Sequence, residues 1–396
     1  MSIRNFLVLF TVLFVLWSCK TARLGGSPGN EKASLSPNGL PRTIYREEGN
    51  FHVQGVVVDV QRGYAYFSFT TKLVKTNLKG ELIGSVDGLI GHLGCLDVNP
   101  EDGRIYASLE YKNDNIGKGI LKGLGKETKD PDAESSFYIA IFDGEKITRP
   151  GMSAEKDHII HTVYLKEVAD DYKATVMNRG KQVEHRYGCS GIDGIAFGPQ
   201  FGQKGGKNFL NLAYGIYGDT SRTDNDYQVI LQYDAKDLRR YERPLSQNGF
   251  NKTGPVKPLN KYFLYTGNST YGIQNLEYDA HTGYWLAAVY AGKKKQFPNY
   301  SLFAIDGAKS PAQEVLKGFD SHEKGNVLQL AATGMYDQKS GVHGWYYPWG
   351  ATGIHALGNG YFYIARNGVT KDKKQYGDLR LYHWTGQDAE PFEEVK

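Results

Sequence analysis

The chain has 396 residues, 47 Lys+Arg against 43 Asp+Glu for a formal net charge of +4, and 40% hydrophobic residues. That near-balance excludes a dedicated nucleic-acid binder, in which basic residues cluster in excess, and the apolar content excludes a disordered chain. With 48 glycines, 28 tyrosines and 4 methionines the composition favours strands and tight turns over helices, while 3 cysteines are too few for a disulfide scaffold.

Residues 1–18 read as an export signal: Arg4 gives the positive start and 6–16 an apolar run. Spanning a bilayer takes roughly 20 apolar residues, so this run is too short to cross. It ends in Leu16-Trp17-Ser18-Cys19, which resembles the bacterial lipobox, and the resemblance implies that Cys19 is lipidated. An acylated cysteine holds a protein to a membrane through its buried chains. Residues 19–41, rich in Gly, Ser, Pro and Asn, read as a flexible tether. The expected location is the cell envelope, in a leaflet the sequence does not specify.

From Thr43 onward a strand, a tight turn and a second strand recur, with no sustained 3.6-residue apolar period. A strand at 42–46 is placed to close a ring beside the last repeat. The first repeat is HVQGVVVDVQRGYAYFSF (52–69), followed by strands at 72–76 and 81–86. The second is HLGCLDVNPEDGRIYASLEY (92–111), with strands at 137–143 and 159–165. The third spans 191–217, with strands at 227–234 and 262–266. The fourth is GIQNLEYDAHTGYWLAAVY (272–290), with strands at 300–306 and 314–317. The fifth is GIHALGNGYFYIAR (353–366), with strands at 379–384 and 391–395. Five four-stranded units predict an all-β chain in which 42–396 form a five-bladed β-propeller. The uneven repeat spacing leaves six or seven blades as the alternative.

Turns between first and second strands are short in most repeats, whereas the connections at 112–136, 218–226, 291–299 and 367–378 are long and polar. In a propeller these two sets lie on opposite faces, and long loops on a rigid scaffold carry function. Aligning the first strands places Gln54, Leu93, Asp193, Gln274 and His355 at one repeat position near the axis, with His92 just before the leucine. Polar groups at an inner position need partners, either each other or a ligand. Glu110, Tyr111, Lys112, Tyr217 and Arg366 follow at second-strand ends as candidate binding residues, and Lys293-Lys294-Lys295 reads as a solvated rim.

Two chemistries fit this set. Glycosidic hydrolysis needs two carboxyl groups, for which Asp193 and Glu110 are candidates. A lyase needs a His or Tyr base with a cation holding a uronate, which His92, His355, Tyr111, Lys112 and Arg366 supply. Asp193, His355 and His92 are thus the catalytic candidates. A metal set of His92, Asp193 and His355 has no supporting spacing, and Asp219, Asp224 and Asp226 match a calcium loop only loosely. No cofactor motif is present, and a central calcium or other metal ion is left open. Cys189 beside His92 forms a formal nucleophile pair, yet Cys95 and Cys189 read better as buried thiols, with a disulfide between them as the alternative.

GHLGCLDVNPEDGRIYASLEYKND, HRYGCSGIDGIAFGP and YGIQNLEYDAHTG resemble an uncharacterised group of exported bacterial propeller proteins. The resemblance implies the fold and no activity. Five-bladed architecture also resembles arabinanase-type glycosidases, which place three carboxylates on inner strands. Here one stands at the matched position, Asp193. The expected function is a lipid-anchored envelope protein that binds, and as an enzyme cleaves, a carbohydrate of neutral or anionic type at the long-loop face. The alternative is a non-catalytic binding or assembly module.

Overall fold

Turn chemistry fixes the hairpins first. Asp59 accepts the backbone N–H of Arg62 (3.0 Å), and Asp279 accepts those of His281 (3.2 Å) and Thr282 (3.0 Å). Gly63 and Gly283 close these turns at φ of 75° and 75°, a conformation that side chains disfavour. The computed structural model describes residues 39–127, 134–267 and 270–396. The leader, Cys19 and nearly all of the tether lie outside the described residues. The propeller lies within the compact unit Leu35–Lys396.

Each hairpin supplies the two inner strands of a blade. Blade 1 pairs Gly55–Asp59, Tyr64–Ser68, Leu73–Asn77 and Leu82–Asp87 in order, and blade 2 pairs His92–Val98, Ile105–Tyr111, Ser136–Phe142 and Ile160–Tyr164. Blade 3 runs Cys189–Pro199, Asn208–Ile216, Tyr227–Tyr233 and Asn260–Tyr265. Blade 4 has Thr270–Asp279, Tyr284–Tyr290 and Leu302–Asp306, and blade 5 has Ile354–Gly358, Tyr361–Val369 and Gln375–Trp384. Thr43–Glu48 pairs antiparallel with Gln375–Trp384, so the chain's beginning completes blade 5 and closes the ring.

Strands sandwiched between neighbouring blades are buried on both faces, which is why they read as continuous apolar runs instead of alternating. Ile105–Tyr111, Ser136–Phe142 and Tyr227–Tyr233 are buried throughout. The apolar clusters join the blades in a circle. Leu93, Tyr106 and Phe197 lie in one cluster, Ala196 and Trp285 in the next, then Leu286 with Ile364, and finally Tyr363 with Val56 and Phe67.

Two expectations need correction. The strand expected at 314–317 does not complete blade 4. Ala312–Val315 pairs with Lys324–Leu328, which adds in parallel to Asn260–Tyr265 and widens blade 3. Blade 4 instead covers its edge with single bridges from Leu302 to Trp345 and from Ile305 to Leu330. Local pattern identified a strand, but only long-range pairing decides which sheet it joins. The long connection expected at 367–378 is mostly strand, since pairing continues through Val369 and Gln375 and leaves a tight turn. A helix, Asn115–Gly123, occupies part of the 112–136 connection, capped by Asp114 accepting from the Gly117 amide at 2.9 Å.

Candidate functional site at the axial mouth

Four inner strands bring polar side chains to the axis on the face of the 112–136 connection. Asp193 is partly exposed, and its Oδ2 accepts a hydrogen bond from Gln274 Nε2 at 3.1 Å. His92 Nδ1 lies 3.7 Å from Asp193 Oδ1 and 3.4 Å from Glu110 Oε1, so one imidazole sits between two carboxyl groups. Both contacts are longer than a well-formed charged hydrogen bond of about 2.8 Å. Gln54 joins from blade 1, with Nε2 3.0 Å from His52 Nε2 and 3.2 Å from Thr70 Oγ1.

Glu110 is anchored as framework. It is fully buried, its Oε2 accepts the Ile192 amide at 3.0 Å, and its Oε1 pairs with Lys112 Nζ at 2.6 Å. Gly191 makes this approach possible: at φ 123°, a Cβ there would stand 1.9 Å from Glu110 Oε2. Burial alone would raise the Glu110 carboxyl, but Lys112 and His92 outweigh it and hold it below the usual range. Asp193 has fewer partners. Burial, with the Glu110 charge adding to it, raises its carboxyl to about 6 against the pull of His92 and Lys112. For His92, burial opposes the charge, yet the neighbouring Glu110 and Asp193 carboxyl groups hold the ring above its ordinary value. His52 goes the other way, lowered by burial and then by His92.

Aromatic surface adjoins this polar group. Tyr271 is exposed and meets Tyr290 edge-on at 6.0 Å, and its backbone carbonyl accepts from Gln274 Nε2 at 3.0 Å. Burial, reinforced by Asp193 and Tyr271, pushes the Tyr290 hydroxyl up to about 12. A cavity of about 220 Å³ opens between blades 4 and 5, lined among others by Tyr290, Tyr347, Trp349, Thr352 and Asn367.

The remaining sequence candidates lie elsewhere. His355 is not in this layer. Counted from the hairpin turns, it pairs with Tyr363 as Glu277 pairs with Leu286, so it takes the place of Glu277, three residues beyond Gln274. Aligning the first strands on the Gly, Ala or Asn that follows each candidate missed the bulges that shift register in the inner strands of blades 2, 3 and 4. His355 therefore lies deeper, with its Nε2 3.1 Å from the Val58 carbonyl and Nδ1 3.6 Å from Glu277 Oε1. The set His92, Asp193 and His355 is accordingly split between two layers.

Tyr111 points away from the axis, because strand side chains alternate and Glu110 takes the inward position. Its ring packs on Tyr138 and Phe250, and its hydroxyl donates to Gln247 at 3.0 Å. Lys112 reaches inward, donating to the Ser190 carbonyl at 2.8 Å as well as pairing with Glu110, so its charge is committed. Tyr217 donates to the helix cap Asp114 at 2.7 Å. Arg366 stands beside the cavity, its guanidinium 5.4 Å from the Trp349 ring, but bonds the Tyr382 hydroxyl and Glu394 (2.6 Å) on the strands outside its own in blade 5. Lys294 corrects the solvated-rim reading: it is buried, paired with Asp226 and bonded to Asn225 Oδ1 at 2.7 Å. Asp224 pairs with Arg222 at 2.8 Å and Asp219 bonds Ser221, so these acids have protein partners. Cys95 and Cys189 are free buried thiols, and burial raises both, which disqualifies them as nucleophiles.

Residues absent from the sequence reading include His52, Tyr271, Trp349, Asp97 and Glu277. For the last two a signal existed: Leu96-Asp97 and Leu276-Glu277 repeat a leucine–acid pair in blades 2 and 4.

Fold and site define a five-bladed β-propeller with a polar, aromatic-flanked axial mouth. No family model and no curated protein matches the chain. Among solved structures it is similar to one described as the Dos1 propeller, at 11% identity over 87% of this chain and 81% of that one, with a TM-score of 0.32. Another is the holo form of the pyranose dehydrogenase PQQ domain from Coprinopsis cinerea, at 10% identity over 86% and 98%, with a TM-score of 0.25.

Proposed function

We propose that this propeller binds a carbohydrate at the axial mouth and is held at the cell envelope by a lipidated Cys19. One observation carries the ligand reading: Tyr271 and Tyr290 stand beside the Asp193–Gln274 pair, and Tyr290 borders a cavity with further aromatic, hydroxyl and amide groups. Flat aromatic faces stack on sugar rings while carboxyl and amide groups bond hydroxyls. A neutral ligand is favoured over an anionic one, since Lys112 and Arg366 are already paired with Glu110 and Glu394. Cleavage is a second reading, favoured by the raised Asp193 carboxyl beside His92. The group serves as a proton donor at mildly acidic pH, but Glu110 is committed to Lys112 and Ile192.

The test is a panel of neutral and uronate-containing oligosaccharides, scored for binding by calorimetry and for new reducing ends. Binding of neutral glycans that weakens about fivefold in Tyr271→Ala supports the reading, and silence across the panel removes it. Reducing ends abolished in Asp193→Asn add the cleavage step. Cys19→Ala is expected to release the protein from membrane fractions.

A further inference from the structure

We infer that the deep axial layer is a binding site for one divalent transition-metal ion, of the zinc or manganese type, with Asp97, Glu277 and His355 as ligands. These side chains come from the inner strands of blades 2, 4 and 5, all are buried, and one ligand atom from each lies within 4.8 Å of the others. Two carboxylates balance the charge of a divalent ion, and a mixed imidazole and carboxylate set suits zinc or manganese better than calcium or magnesium.

The histidine geometry supports this independently. His355 Nε2 faces the Val58 carbonyl at 3.1 Å, and because a carbonyl only accepts, Nε2 carries the proton. Nδ1 is then turned towards Glu277 Oε1 at 3.6 Å. Two atoms each bound at about 2.0–2.2 Å to one tetrahedral ion stand close to this separation. A ligating histidine commonly donates its other N–H to a backbone carbonyl, which fixes tautomer and ring orientation. The carboxylates are aimed in the same way: Asp97 accepts the amides of Val98 and Phe197, both at 2.7 Å, and Glu277 accepts that of Ala356 at 2.9 Å. The residues holding the ligands therefore come from blades 1, 2, 3 and 5, so the ion would join blades across the ring's closure.

Mature protein stripped with chelator is titrated by calorimetry with Zn²⁺, Mn²⁺, Ca²⁺ and Mg²⁺, and its melting point is followed with each. The expected result is one Zn²⁺ or Mn²⁺ per chain, with Tm raised by several degrees. In Glu277→Gln, which keeps an acceptor for Ala356, the fold persists by circular dichroism while affinity falls at least tenfold. Asp193→Asn binds the ion unchanged. Absence of binding by wild-type protein, binding of Ca²⁺ or Mg²⁺ alone, or full affinity in Glu277→Gln would overturn the assignment. Glycan binding is scored separately and does not depend on the outcome.

Discussion

In blades 2 and 4 the mouth and the deep layer share one inner strand: Gln274 and Glu277 stand three residues apart, and His92 and Asp97 five with a bulge between them, roughly 10–15 Å at ~3.3 Å per residue. Both hold two acids and a histidine, yet they are stabilised differently. In the deep layer the backbone clamps the carboxylates, with amides of Val98, Phe197 and Ala356 aimed at them. At the mouth Glu110 is clamped in that way, whereas Asp193 has a single side-chain amide donor, Gln274, and a distant imidazole. Backbone donors favour the charged form and fix geometry, so a carboxylate that lacks them is destabilised and left available to a ligand.

Substitutions can break or sharpen that contrast. Glu110→Ala leaves the buried Lys112 without its closest counter-charge and is expected to cost about 3–5 kcal/mol in urea unfolding. A near-zero cost would move Glu110 from framework to ligand site. Asp97→Asn keeps one acceptor and turns the other towards an amide, for an expected loss of about 2 kcal/mol.

Asp193→Asn has the opposite sign. The folded carboxyl titrates at about 6, above an unfolded aspartate. Its contribution to stability is therefore complete below about pH 3.9 and is lost as pH rises through the folded value. At pH 7.5 the variant should be more stable than the parent by on the order of 2 kcal/mol, with the difference vanishing near pH 4. Unfolding curves at both pH values decide this, and a variant less stable at pH 7.5 would place Asp193 with the clamped acids. Tyr271→Ala has the smallest effect, weakening glycan affinity by about 1 kcal/mol while moving stability by less than about 0.5 kcal/mol.

Much of the ring was legible in the chain because most blades begin with a tight hairpin turn. Asp59 and Asp279 close hairpins with a following glycine, and those residues announce themselves by type and spacing. Ring closure by Thr43–Glu48 was also anticipated from one short β-rich segment. The mouth was half legible. Asp193, Gln274, His92 and Gln54 were found, while His355 was misplaced and Tyr111 pointed elsewhere.

What the sequence determines on its own is local: turn chemistry, strand propensity and the repeat, all set by neighbours a few residues away. Tertiary structure decides register and partnership. Bulges in blades 2, 3 and 4 move side chains along the axis without leaving a mark in the pattern, and so select which acid meets which histidine. Likewise, Ala312–Val315 joins blade 3 because its pairing partner Lys324–Leu328 lies beside Asn260–Tyr265. Hydrogen bonding and burial act between residues far apart in the chain, and only the closed ring brings them together.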